Sequence, residues 1–237
     1  VLEPELMDDP ALDPSDHERA LRGLARINRL SFAGRAHLPA LALAAGRSGG
    51  GGRAAAGVRV LDVGAGSGDG AVSLALAAKR RGVAVKLVLA DISPRAVEAG
   101  RNRAAQAGLD AEGVVVDAVG GAGTLPAADL AVCSLFLHHL TEVQALAVLG
   151  NMRESVSEVG GVVSVNDLRR GAWGSVLANT VPRMVTRSPV VHTDAAISAR
   201  AAWTASELLD LATRAGMSGA RVHPCFPARM TLVWSAA

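Results

Sequence analysis

The chain has 237 residues, 50% of them apolar but only 3% aromatic, and a formal net charge of +2. That length fits one α/β domain with additions at its ends, around a core of Leu, Val and Ala. The charge is too small to imply nucleic acid, the absence of tyrosine removes every phenolic acid or base, and two isolated cysteines, Cys133 and Cys225, make neither a disulfide framework nor a zinc knuckle. No apolar run reaches the roughly eighteen residues of a membrane span. The acidic, Pro-containing start is unlike a secretory signal, so a cytoplasmic protein with no membrane partner is expected.

In chain order, Val1 to Asp16 reads as a disordered tail. Asp13-Pro14-Ser15-Asp16 then offers a helix start, with Asp13 or Ser15 as N-cap. Leu21, Leu24, Ile27 and Leu30 recur at helical spacing. Arg22, Arg26 and Arg29 fall on another face, either a solvated stripe or the back of a lid helix with Asn28 or Arg29 turned inward. A second helical stretch lies near Leu38 to Ala45. Residues 1–47 are thus expected to form a tail and helical lid. The run Ser48-Gly49-Gly50-Gly51-Gly52 makes 48–57 a flexible linker.

The pattern changes at Val58. Apolar strands are expected at Val58 to Val63, Val83 to Ala90, Gly113 to Val116, Asp129 to Phe136 and Val162 to Val165. Helices are expected between them, at Gly68 to Arg81, from Ser93-Pro94 to about Gln106, and from Thr141 to about Ser157. Alternation of this kind means βαβ units and a parallel sheet, and near-continuous apolar strands mean helices on both faces. Handedness leaves a doubly wound α/β sheet, Rossmann-like, as the simplest topology. Residues 166–203 show no strand pattern, and segments of that length in compact domains are usually functional or disordered. Thr204-Ala205-Ser206-Glu207 is a capping box before a helix ending at Gly216. Ala220 to His223 and Met230 to Trp234 close the chain as an antiparallel hairpin at the sheet edge. The domain is therefore read as 58–237.

Chemistry concentrates at Leu61-Asp62-Val63-Gly64-Ala65-Gly66-Ser67-Gly68-Asp69-Gly70, which follows a strand and opens a helix. A Gly-rich turn alone can bind NAD, FAD or S-adenosylmethionine. Two details separate them. The dinucleotide pattern needs its third glycine where Asp69 stands. Asp62 closes the strand, where a carboxylate opposes a pyrophosphate and favours a ligand with an ammonium.

Asp62 to Gly70 resembles the first motif of class I S-adenosylmethionine-dependent methyltransferases, and the later elements fall where that family has them, as far as Trp234. The resemblance implies a seven-stranded sheet and a role for each matched residue. Gly64, Gly66 and Gly68 would make room for the methionine part of S-adenosyl-L-methionine, and Asp62 would meet its ammonium. Asp91 would take the ribose hydroxyls and Asp117 the adenine amino group. Ile92 and Ala118 would flank the adenine, and Ser134 and Leu135 would border the sulfonium. A lone Asp after a strand is often only a turn former; three at successive strand ends, in register with a Gly loop, are a stronger signal.

Leu137-His138-His139-Leu140 resembles the His-containing segment that follows the fourth strand in many small-molecule methyltransferases. His139, with His138 as the alternate, is the expected base for a hydroxyl acceptor, and Asn166 or Asp167 can orient that hydroxyl. No metal is expected, because adjacent histidines seldom chelate one ion and only Glu142 lies at suitable spacing. The expected activity is methyl transfer to an oxygen or carbon of a small aromatic, quinone or polyketide acceptor. Transfer to rRNA or tRNA, and a non-catalytic cofactor-binding module, are the rival readings. Nucleic acid is disfavoured as a partner, and a homodimer is left open.

Overall fold

The computed structural model describes residues 33–48 and 57–236, with positions 3, 5–8, 12, 13, 15, 16, 19, 20, 23 and 27 of the N-terminal segment. Seven strands form one sheet in the order β3-β2-β1-β4-β5-β7-β6. They are β1 (Val58–Val63), β2 (Val85–Asp91), β3 (Ala111–Val115), β4 (Leu130–Ser134), β5 (Val162–Leu168), β6 (Arg221–Cys225) and β7 (Arg229–Ser235). The first five pair in parallel, and β7 runs antiparallel between β5 and β6. Among the described residues, the helices whose bounds are defined are α1 (Leu38–Ser48), α2 (Asp69–Lys79), α3 (Pro94–Gln106), α4 (Glu142–Ser157), α5 (Ala172–Val185), α6 (Pro189–Ala201) and α7 (Ala205–Arg214).

The central strands are apolar on both sides because both sides are covered. Leu41 and Ala44 of α1 and Leu74 of α2 meet Val60, Leu89, Leu130 and Val132 on one face. Val148, Leu149 and Met152 of α4 and Leu208 and Leu211 of α7 meet Val63, Val163, Met230 and Leu232 on the other. Capping boxes start both helices of that second layer: Thr204 with Glu207, as expected, and Thr141 with Gln144.

Several details differ from the sequence pattern. β3 begins at Ala111 and carries Gly113 inside it. A side chain there would meet Val97 of α3 at 2.4 Å, so the glycine serves close packing and not strand entry. β4 stops at Ser134 because Leu135 turns to φ +54°. β5 runs on to Leu168, and the stretch without a strand pattern folds into α5 and α6. Those helices were hidden because α5 exposes Trp173, Val176 and Met184, which leaves no clean buried stripe. Pro224 sits within β6, which is tolerable because that strand lies at the edge.

The described part of the tail is docked, contrary to the expectation of disorder. The Leu6 and Met7 backbone N–H groups donate to the Asp194 carboxylate at 2.7 and 3.1 Å. Glu3 pairs with Arg200 at 2.6 Å, and Glu5 accepts from the Ser198 hydroxyl. Its acidic residues find partners on α6 that no local pattern announces. Asp13 accepts from the Ser15 N–H at 2.8 Å, as a helix start requires. Leu21, Arg22, Leu24, Arg26, Asn28, Arg29, Leu30 and Gly49 to Gly52 lie outside the described residues. Among the described residues, no helix is long and apolar enough to cross a membrane.

A short 3-10 turn, Ala33–His37, precedes α1 and packs on the start of α2. A Cβ at Gly34 would lie 2.4 Å from the Gly70 carbonyl oxygen, which is backbone and cannot swing aside. Gly34→Ala is therefore expected to cost about 1–3 kcal/mol by overpacking. Urea denaturation checks this, and an unchanged midpoint would mean that the turn is not held against α2.

Candidate active site

The order of the sheet reverses between β1 and β4, so their connections leave in opposite directions and open a crevice at the strand ends. The Gly-rich turn lies there. A side chain on Gly64 would strike the Phe136 ring at 2.7 Å, and one on Gly68 would meet the Gly100 backbone at 3.0 Å. Both have positive φ, so glycine is required twice over. The Gly66 N–H donates to Asp91 at 2.8 Å and ties the turn to the end of β2.

The expected cofactor residues come together along this edge. Asp62 is buried, and burial together with the charge of Asp91 pushes its carboxyl up to about 7, against a hydrogen bond from the Ala71 N–H. Asp91 accepts from the Gly66 and Ser93 N–H groups, and Asp117 accepts from the Val119 N–H at 2.9 Å. Each is thus a turn former as well, with lone pairs to spare. Ile92 stands 68% exposed beside Asp91, while Ala118 is buried. The Ser134 hydroxyl is bonded to His37, and the Leu135 N–H donates to the Asn166 carbonyl at 2.9 Å.

His138 and Asp167 form a buried pair, Nδ1 to Oδ1 at 2.6 Å. Asp167 also accepts from the Leu168 N–H at 2.7 Å. Burial opposes the charge on His138, but the Asp167 carboxylate outweighs it and raises the imidazole above its ordinary 6.5. Burial likewise opposes ionisation of Asp167, and His138 outweighs it there, holding the carboxyl below 3.8. The His139 ring lies 4.1 Å from that of His138, and burial and this neighbour push it down to about 4.

Three groups here had no signal in the sequence. His37 is buried with Nδ1 on the Ser164 hydroxyl and Nε2 on the Ser134 hydroxyl, each at 2.8 Å. Burial pushes it down to about 4, so it is neutral. Arg229 is buried at the start of β7. Glu5 reaches His139 Nδ1 at 3.7 Å. Glu5, His138 and His139 have potential ligand atoms within 4.8 Å of one another, whereas Glu142, the carboxylate singled out by spacing, pairs with Arg214 instead. Within this cluster His138 Nδ1 is bonded to Asp167, and the Ser198 hydroxyl donates to Glu5.

Residues 60–160 match the family model described as a methyltransferase domain. Over this segment, which is less than half of the chain, the sequence is similar to a methyltransferase domain. The fold is similar to that of the S-adenosylmethionine-dependent methyltransferase SibL in its apo form (TM-score 0.66, 22% identity, 99% of this chain and 62% of that one). It is also similar to human N-acetylserotonin methyltransferase in complex with S-adenosylmethionine (0.62, 17%, 94% and 56%). A third likeness is to PhzM, the pyocyanin biosynthetic protein (0.56, 22%, 76% and 51%). The chain thus spans between half and two thirds of the length of these neighbours. No curated protein matches the sequence.

The His138–Asp167 pair makes the stability of this domain depend on pH. His138 is raised, so its contribution is complete below about 6.5 and fades as pH climbs through the folded value. Asp167 is lowered, so its contribution is present above 3.8 and fades as pH falls through its folded value. The pair helps most between those limits. Asp167→Asn is expected to cost about 3–5 kcal/mol at pH 6, as loss of one partner of a buried ion pair does. The deficit should be smaller at pH 9, where His138 tends to neutral. Thermal melts at both pH values check this; an equal deficit would mean that the imidazole is neutral throughout.

Proposed function

We propose that the protein transfers a methyl group from S-adenosylmethionine to an oxygen or carbon of a small aromatic, quinone or polyketide acceptor. The observation that carries this is the row of Asp62, Asp91 and Asp117 at three successive strand ends, in register with the Gly64–Gly68 turn. A buried carboxyl held near 7 suits an ammonium, which would stabilise its ionised form. The exposed Ile92 face suits an adenine ring. On this reading Asp62 meets the ammonium, Asp91 the ribose, Asp117 and Ala118 the adenine, and Ser134 and Leu135 the sulfonium side. When bound, the cofactor supplies a methyl group on a sulfonium leaving group.

What remains for the chain is to align the acceptor and hold its proton. His138 is favoured over His139 as the base, reversing the preference drawn from sequence. In its neutral form, reached as pH rises through the raised pKa, its Nδ1–H donates to Asp167, which leaves the Nε2 lone pair to accept a proton and the carboxylate to stabilise the resulting imidazolium. His139, held down to about 4, is a poor base at neutral pH. Asp167 is then a positioning residue. The docked N-terminal segment, with Glu5 beside His139, and the α5–α6 insert supply the cover over the acceptor.

S-adenosylhomocysteine titrations test the cofactor site. Asp91→Ala should weaken binding by about 1.5–3 kcal/mol, the worth of hydrogen bonds to a charged group. Binding should tighten as pH rises through 7, because Asp62 must shed its proton to meet the ammonium, and Asp62→Asn should abolish that slope. Unchanged affinity in Asp91→Ala would sink the ribose assignment.

Turnover tests the chemistry. His138→Ala should lower kcat on a hydroxyl acceptor by about 10²–10⁴-fold with little change in cofactor affinity. His139→Ala should cost far less. If both variants keep near-full kcat at pH 7, alignment alone drives transfer.

A further inference from the structure

Two buried polar atoms at the same sheet edge have no hydrogen-bond partner among the described residues: Nη1 of Arg229 and Oδ1 of Asn166. Arg229 is only 5% exposed and Asn166 is fully buried. Because β7 runs antiparallel, its first residue lies where β4 and β5 end. Arg229 pairs with Leu168 and Thr231 pairs with Asn166, so Arg229 and Asn166 are diagonal neighbours on one face, with Cβ atoms about 7–8 Å apart. An arginine side chain spans that distance. Ser164 and Ser134, which hold His37, lie on the same face.

The orientation of Asn166 is determined by chemistry. Its amide nitrogen donates to the Met230 carbonyl at 3.2 Å and to the Thr231 hydroxyl at 2.9 Å. A carbonyl can only accept, so the nitrogen must face it and the oxygen must face away. The surroundings of Arg229 are equally defined. Burial pushes its pKa below the usual arginine value, the Asp167 carboxylate opposes that, and its charge is felt by His37 and His138. The Asp167 carboxylate is engaged with His138 and the Leu168 N–H. No carboxylate lies within 4 Å of the guanidinium among the described residues. A buried charge left in this state is costly unless something completes it.

We propose that Arg229 and Asn166 form a specificity subsite for an acceptor that carries a carboxylate next to a hydroxyl. This rests on the methyltransferase reading above. Nη1 needs an anionic oxygen, and Oδ1 needs an O–H donor. A carboxylate alone leaves Oδ1 facing another acceptor, and a hydroxyl alone leaves the cation unmatched. A carboxyl, with a pKa near 4, is ionised at neutral pH, whereas a phenol, with a pKa of about 10, is not. The subsite therefore selects hydroxy acids over simple phenols. The two residues determine specificity; the proton-transfer step stays with His138.

The test is calorimetry on the full chain saturated with S-adenosylhomocysteine, with salicylate, benzoate and phenol as probes. Salicylate should bind more tightly than benzoate, and benzoate more tightly than phenol. Arg229→Met should weaken both carboxylates by about tenfold or more, the loss of one charged hydrogen bond, and leave phenol unchanged. Asn166→Ala should remove the advantage of salicylate over benzoate. Without ligand, Arg229→Met should melt no lower than wild type, since a lone buried cation contributes nothing to the fold. Equal salicylate affinity in wild type and Arg229→Met overturns the proposal, and so does failure of both carboxylates to bind. If Arg229→Met does not fold, Arg229→Lys decides: it keeps the charge but not the planar fork, and unchanged salicylate affinity overturns the proposal. Loss of S-adenosylhomocysteine binding by the wild type would instead refute the methyltransferase reading.

Discussion

Parallel pairing of β1 with β2 on one side and β4 on the other decides where every polar group of the site can go. Each strand points its C-terminal end the same way, so Asp62, Asp91, Asp117 and Ser134 emerge along one edge although they are scattered through the chain. The crossover helices leave in opposite directions at β1, and the crevice between them opens at the C-terminal ends of the strands. The Gly64–Gly68 turn fills its floor because the Phe136 ring and the Gly100 backbone press against it. The insertion of β7 then adds Arg229 to the same edge from a strand running the other way.

The electrostatics follow from crowding ionisable groups into that edge. Burial, with the charge of Asp91 beside it, makes the Asp62 carboxyl costly to ionise. His138 and Asp167 solve the opposite problem, each making the other's charge bearable where burial alone would forbid it. Burial pushes His37 and His139 down to about 4, so both stay neutral, one held by two hydroxyls and the other packed beside the His138 imidazole with Glu5 at 3.7 Å. Three histidines of ordinary pKa thus become two kinds of group, one basic and two not. Only environment separates them, and environment is what a linear pattern lacks.

The N-terminal segment and the insert enter the site by different means. Ala33–His37 is wedged against α2 by a glycine contact and delivers His37 to the ends of β4 and β5. Glu5 arrives through backbone bonds to Asp194 and a side-chain bond to Ser198, so α6 is the bracket that holds it. The α5 helix leaves Trp173, Val176 and Met184 in the open. That is a large apolar face for a helix beside a site.

Strand and helix alternation, the Gly-rich turn, the three strand-end acids and the Thr204 capping box are local signals, and the sequence by itself determined them. Period and spacing are enough to place a βαβ unit, and a turn that demands positive φ must use glycine. The docked tail, the helices of the insert and the choice between His138 and His139 were not legible. Their partners lie far off in sequence: Asp194 for Leu6, Asp167 for His138, Ser134 and Ser164 for His37. Arg229 was equally silent, because an arginine at a strand start reads as solvated until the antiparallel register with Leu168 buries it. Local propensity and patterning depend on neighbours along the chain. Burial, pKa and the pairing of charges depend on neighbours in space, and only the tertiary structure supplies those.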